Sequence, residues 1–215
     1  MKRNITLDQI AGYVTERTVW QLLLDLSDYC SDGELFGVTA NDIIVSDSSF
    51  SLDKHRDSID NKAGNFSSPE SFYDVSIAKN EASCIWTLGA LAFYAITGMD
   101  VLEGKGGCTQ NKDTNIPRIS SAYATEQLSA LIRQCLSYSP SERPSRNTIL
   151  LAAKDALEKP ASPRKRLITN NGRSYCTSIV KFWPEEMVPL LAVCVLLLSS
   201  LSMSAQNGAF DRTSI

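Results

Sequence analysis

Residues 82–97 read Ala82-Ser83-Cys84-Ile85-Trp86-Thr87-Leu88-Gly89-Ala90-Leu91-Ala92-Phe93-Tyr94-Ala95-Ile96-Thr97. The run is long enough for more than four helical turns and carries no charge. Its apolar residues occupy nearly every face rather than one stripe. A helix with no polar face is one that other elements surround. The spacing therefore predicts a central, buried helix, which Gly98 ends.

Downstream, residues 103–118 are polar and Gly-rich, with Glu103-Gly104-Lys105-Gly106-Gly107 at the start, and read as a flexible surface loop. Two helices are expected next, at Glu126–Leu136 and Arg146–Glu158. Ser145 is placed to cap the second, and Pro160 to stop it. Upstream, residues 53–70 lack periodicity and read as loop. Before them, Ile43-Ile44-Val45 and Phe50-Ser51-Leu52 are strand-like and flank the turn residues Asp47-Ser48-Ser49, which predicts a hairpin. Val19, Leu22, Leu23, Leu26 and Cys30 recur at helical spacing behind a capping Thr15. Thr6 and Gln9 have capping-box spacing.

The chain has 215 residues, 43% hydrophobic and 21% charged, which suits one folded domain with a tail. Residues 1–160 carry 15 Lys/Arg against 21 Asp/Glu, a net −6. An acidic body argues against nucleic-acid binding, which needs a basic face. Residues 161–184 carry five basic side chains (Arg164, Lys165, Arg166, Arg173, Lys181) and no acidic one. The six cysteines form no C-x-x-C pair and do not neighbour the single histidine, His55, so zinc and redox-motif spacings are absent. A reducing compartment is expected for the body. Met1-Lys2-Arg3 leads into a polar, capped pattern, so no secretory signal is expected.

Three runs together resemble a known family. Ser83-Cys84-Ile85-Trp86-Thr87-Leu88-Gly89 resembles the D-[VI]-W-S-L-G segment of the protein-kinase C-lobe. Cys135-Leu136-Ser137-Tyr138-Ser139-Pro140-Ser141-Glu142-Arg143-Pro144-Ser145 resembles its C-L-x-x-x-P-x-x-R-P-[ST] turn. Ser68-Pro69-Glu70 stands where kinases have A-P-E. Order and spacing agree for all three, and the match covers residues 5–158. The resemblance is greatest to the kinase non-catalytic C-lobe domains. It implies a mainly α (α+β) fold with a small sheet, a structural Trp86, and a buried Glu70–Arg143 ion pair.

The resemblance also implies where chemistry would sit, and there the residues depart from it. Phosphoryl transfer needs a phosphate-covering loop, a lysine, a base and metal ligands. Five residues precede Thr6, so an N-lobe with its glycine loop and strand lysine is expected to be absent. Aligned on the first hairpin strand, the base position falls on Gly37, the lysine position on Thr39 and the metal-ligand position on Asp42. The D-F-G position falls on Lys54-His55-Arg56, with Asp53 one residue away. The central-helix aspartate is Cys84. Asp42 and Asp53 are the only weak metal candidates. His55 has no Ser or Cys motif beside it. The sequons Asn4-Ile5-Thr6 and Asn65-Phe66-Ser67 matter only to a lumenal body, which is not expected.

Residues 187–205 read MVPLLAVCVLLLSSLSMSA, uncharged over a length near that of a bilayer core. Lys181, Phe182 and Trp183 precede the run as interfacial residues. The basic flank predicts a single-pass membrane helix with the globular body on the cytoplasmic side. The expected organisation is a kinase-like C-lobe at 5–158, a basic linker at 159–184, a transmembrane helix at 187–205 and a polar tail at 206–215.

The function expected from this pattern is a membrane-tethered pseudokinase module. It binds a protein partner in signalling, catalyses nothing and takes no cofactor, and ATP binding is not expected. A partner surface is expected around Leu35 and Phe36, with the loops 53–70 and 103–118 as further candidates. The alternatives are residual Ser/Thr-type kinase activity with an N-lobe supplied in trans, and a truncated, non-functional kinase-like product.

Overall fold

A computed structural model describes residues 5–47, 49–53, 63–74 and 79–159. The chain divides into two units, Met1–Leu167 and Ile168–Ile215, and the described residues all belong to the first. They are mainly helical with one small sheet. In order they are β1 (Ile5–Thr6), α1 (Leu7–Ile10), α2 (Glu16–Leu26), β2 (Ile43–Ser46), β3 (Ser49–Leu52), α3 (Glu81–Thr97), α4 (Glu126–Cys135) and α5 (Arg146–Glu158).

α2 forms because its apolar residues fall on one face and its start is capped. The Thr15 hydroxyl accepts from the Thr18 N–H at 3.3 Å, and Val19, Trp20, Leu22, Leu23 and Leu26 are all buried. That face packs on α3, α5 and β3. α3 is the centre of the fold. Asn80, rather than a residue within the run, caps it: its side-chain oxygen accepts from the Ser83 N–H at 2.8 Å. From Ser83 to Phe93 every residue of α3 is buried, as its lack of a polar face requires. The helix stops at Gly98, in the left-handed conformation with φ 69°. α4 and α5 are capped by Thr125 and Ser145, each accepting a backbone N–H at 3.3 Å.

The sheet has the order β1-β2-β3, antiparallel throughout. β2 and β3 are the expected hairpin, in register Val45 to Phe50, and Asp47 at its turn has φ 47°. The Asp25 carboxylate accepts from the Phe50 N–H at 2.9 Å and ties the hairpin to α2. The capping box expected at Thr6 is not formed. Thr6 pairs with Ile44 in β1, its side chain makes no cap bond, and α1 is a single turn.

The largest departure from expectation concerns the Gly-rich run. Residues 103–107 are not a free surface loop: Gly106 and Gly107 are buried in a short 3-10 turn, Gly106–Thr109. A matching pair of 3-10 turns, Ala63–Phe66 and Pro69–Phe72, lies against it. The Gly107 N–H donates to the Ser67 carbonyl at 2.9 Å. A Cβ on Gly107 would fall 2.2 Å from the Pro69 nitrogen, so no side chain fits there. Phe66 anchors the same strap by packing edge-on against Tyr94, with ring centroids 5.6 Å apart.

Among the described residues no helix is long and apolar enough to cross a membrane. The run 187–205 and its interfacial residues Lys181, Phe182 and Trp183 lie outside the described residues, as does His55.

This packing carries a direct test. Gly107→Ala is expected to cost about 1–3 kcal/mol, the usual penalty for overfilling a packed site. Gly64→Ala, where a Cβ meets nothing within 4 Å, is expected to be near neutral. Urea unfolding of the two variants makes the comparison, and equal midpoints would contradict the close approach.

Candidate functional site

The three runs singled out in the sequence meet in space at the Glu70–Arg143 pair, which Ser83 joins through Glu70. Arg143 precedes Pro144 and the cap of α5, and its side chain is fully buried. A buried guanidinium is tolerable only if its five N–H donors and its charge are all answered. Here they are. Nε donates to the Ser137 carbonyl at 2.9 Å, and Nη2 to the Tyr138 carbonyl at 3.1 Å. Nη1 donates to the Ala82 carbonyl at 2.9 Å. The remaining two donors form a fork with the Glu70 carboxylate, at 2.5 and 2.9 Å.

Glu70 is placed by the turn Pro69–Phe72 and is largely buried, and Ser83 adds a third bond to it at 2.6 Å. Burial alone would raise its pKa. The hydrogen bonds from Arg143 and Ser83, with the Arg143 charge, outweigh that and hold it below the ordinary glutamate value. The carboxylate is thus ionised across the neutral range.

A second relay lies beside the first. The Trp86 indole N–H donates to the Gln110 side-chain oxygen at 3.0 Å, deep in the core. The Gln110 amide N–H in turn donates to the Leu136 carbonyl at 2.6 Å. Trp86 therefore has a polar role as well as a packing one. Gln110 was not legible as a key residue, because nothing in a polar loop distinguishes the one amide that turns inward. The carbonyls of Leu136, Ser137 and Tyr138 all accept from buried side chains, so the turn after α4 is held from within.

An open cleft of about 430 Å³ lies over this turn. One wall is the segment from Gln110 to Ile116, the other the end of α4 and residues 136–142. The first wall is a self-satisfied turn: the Asn111 N–H donates to Thr114 Oγ1 at 2.8 Å, and the Asp113 N–H to Asn111 Oδ1 at 2.9 Å. Lys112, Arg133 and Glu142 supply the charge.

The other candidates are placed differently. Leu35 is 0% exposed and belongs to the core, so it is no part of a partner surface. The physical reason is local: the turns at 31–37, closed by the Phe36 N–H donating to the Gly33 carbonyl at 3.2 Å, leave Leu35 inside the core. Phe36 is half-buried, with the Lys79 ammonium 5.9 Å from its ring centre. Asp42 acts as a cap. Its Oδ2 accepts from the Thr39 N–H at 2.7 Å and the Thr39 hydroxyl at 3.0 Å. The Asp53 N–H donates to the Asp42 carbonyl at 2.7 Å. No group of three or more His, Cys, Asp or Glu placed to hold a metal occurs among the described residues. Cys84, within α3, is buried, and burial pushes its thiol up to about 11. Burial likewise raises Cys135 to about 12 and lifts Cys30 further still. Such thiols are unreactive at neutral pH.

Arg143→Ala is expected to destabilise the fold by about 3–5 kcal/mol, since it leaves Glu70 charged and enclosed. The double change Glu70→Met with Arg143→Met should recover much of that loss. The Glu70 contribution also has a pH signature. Its folded pKa lies below its unfolded value, so the stabilisation is full above the unfolded pKa and disappears as pH falls through the folded one. The stability gap between the native protein and Glu70→Gln should therefore close in acid, read by chemical unfolding across the acidic range. Leu35→Asp should abolish folding, seen as loss of the cooperative thermal transition. A soluble, cooperatively melting variant would return Leu35 to the surface.

A scan against protein-family models finds no match for this chain, and a search of curated proteins finds no relative.

Proposed function

We propose that residues 5–158 are a kinase-like, non-catalytic C-lobe that works as a docking module for a protein partner, carried on a membrane by residues 187–205. The observation that carries this reading is the convergence of the three motif runs on the Glu70–Arg143 pair, which Ser83 joins through its bond to Glu70. The resemblance implies a Glu70–Arg143 pair, and that pair is formed with every donor answered. Residues at the positions of catalytic groups have structural work instead: Asp42 caps a turn, Thr39 is its partner, and Cys84 is buried core. A fold that keeps its braces and gives its reactive positions other tasks is suited to binding rather than to phosphoryl transfer.

The docking surface is assigned to the cleft between residues 110–116 and 133–142. It lies on walls held by buried hydrogen bonds, and binding loops act best on such rigid support. It takes the place of the Leu35/Phe36 patch, which the burial of Leu35 removes.

The test is capture of partners by the full chain, extracted in mild detergent, with two surface variants beside it. Asn115→Trp fills the cleft with an indole. Leu151→Ser alters an exposed residue of α5 outside it. A stoichiometric partner retained by the native chain and by Leu151→Ser but lost with Asn115→Trp is the expected result. A partner indifferent to Asn115→Trp, or no partner, would overturn the cleft as the docking surface.

A further inference from the structure

We propose that the occupant of the cleft is an extended acidic peptide segment, with its carboxylates held between Lys112 and Arg133. This rests on the docking reading above and names the chemistry of the partner.

The lining argues for it first. Apart from Ile116 and Leu136, both buried, the walls present amides, hydroxyls and charges. An amphipathic helix or an acyl chain would find no apolar floor there, whereas a peptide backbone would find donors and acceptors along both walls. Charge argues for it next. The body as a whole is acidic, at a net −6 over residues 1–160. The cleft inverts that sign, with Lys112 and Arg133 against Glu142 alone.

Both cations can take a new partner. Lys112 is exposed and makes no ion pair with the described residues. Arg133 Nη2 meets Glu126 at 3.0 Å, but the Glu126 side chain is 71% exposed. A pair so open to solvent gives little stability and exchanges readily for an incoming carboxylate. Arg133 Nε, bound to the Ser129 carbonyl at 3.4 Å, keeps the guanidinium at the rim. Glu142, on the same wall as Arg133, repels a second carboxylate and so sets the polarity of the segment, acidic residues towards Lys112 and Arg133 and amide or basic residues towards Glu142.

The test uses the full chain in mild detergent and two short fluorescein-labelled peptides, one alternating glycine with glutamate and one alternating glycine with glutamine. Fluorescence anisotropy reads the affinity. The glutamate peptide is expected to bind about tenfold more tightly, with salt weakening it. Lys112→Glu and Arg133→Gln should each reduce its binding about five- to tenfold. Glu142→Gln should tighten it. These side chains lie at the surface, so unchanged melting temperatures should accompany the altered affinities. Equal binding of the two peptides, or glutamate-peptide binding indifferent to Lys112→Glu and Arg133→Gln, overturns the inference. If Asn115→Trp still releases a protein partner in that event, the docking reading stands and only the acidic chemistry falls. If it releases none, both fall.

Discussion

The fold depends on one buried cation. The Arg143 guanidinium is the only fully enclosed charged side chain of its kind among the described ion pairs, and its solvation shell has been replaced by protein atoms from three stretches of chain. Residues 70, 82, 137 and 138 each supply acceptors. Stripping water from such a group costs several kcal/mol, and the loss is made good only when every donor finds an acceptor in suitable geometry. That condition fixes the strap at 63–74, the start of α3 and the turn after α4 relative to one another.

The rest of this end of the molecule follows from that constraint. Once Glu70 is held by Arg143, the strap must lie across residues 106–107, and only a main chain without side chains leaves room for the Gly64 carbonyl at 106 and Pro69 at 107. The turn at 136–138 must face its carbonyls inward, which lets Gln110 bridge from Trp86 to Leu136. The polar side chains of residues 110–116 and 137–142 that take no part in these bonds are left facing outward as the walls of the cleft. Cleft and structural brace are two sides of the same turn.

Much of this was legible in the chain. The all-round apolar run of α3, the one-sided pattern of α2, the hairpin at 43–52 and the capped start of α5 are local signals, and each element is found close to its expected bounds. The Glu70–Arg143 pair was legible only through motif spacing, since nothing about an isolated Glu and Arg 73 positions apart predicts contact. Leu35 was misread because adjacent apolar residues in a Gly-rich turn give no periodicity. Which of the two points inward is set by the turns around them.

The sequence by itself determined which stretches are helix, strand and turn, because periodicity, caps and turn residues act over a few neighbouring positions. Only the tertiary structure decided what the polar loop residues do. Gln110, Ser83 and the carbonyls of Leu136 to Tyr138 acquire their roles from partners distant in the chain. The glycine at 107 is required by a proline almost forty residues upstream. Hydrogen bonds and close packing depend on angstrom-scale positions in space, and those are settled only when the whole domain closes around its buried arginine.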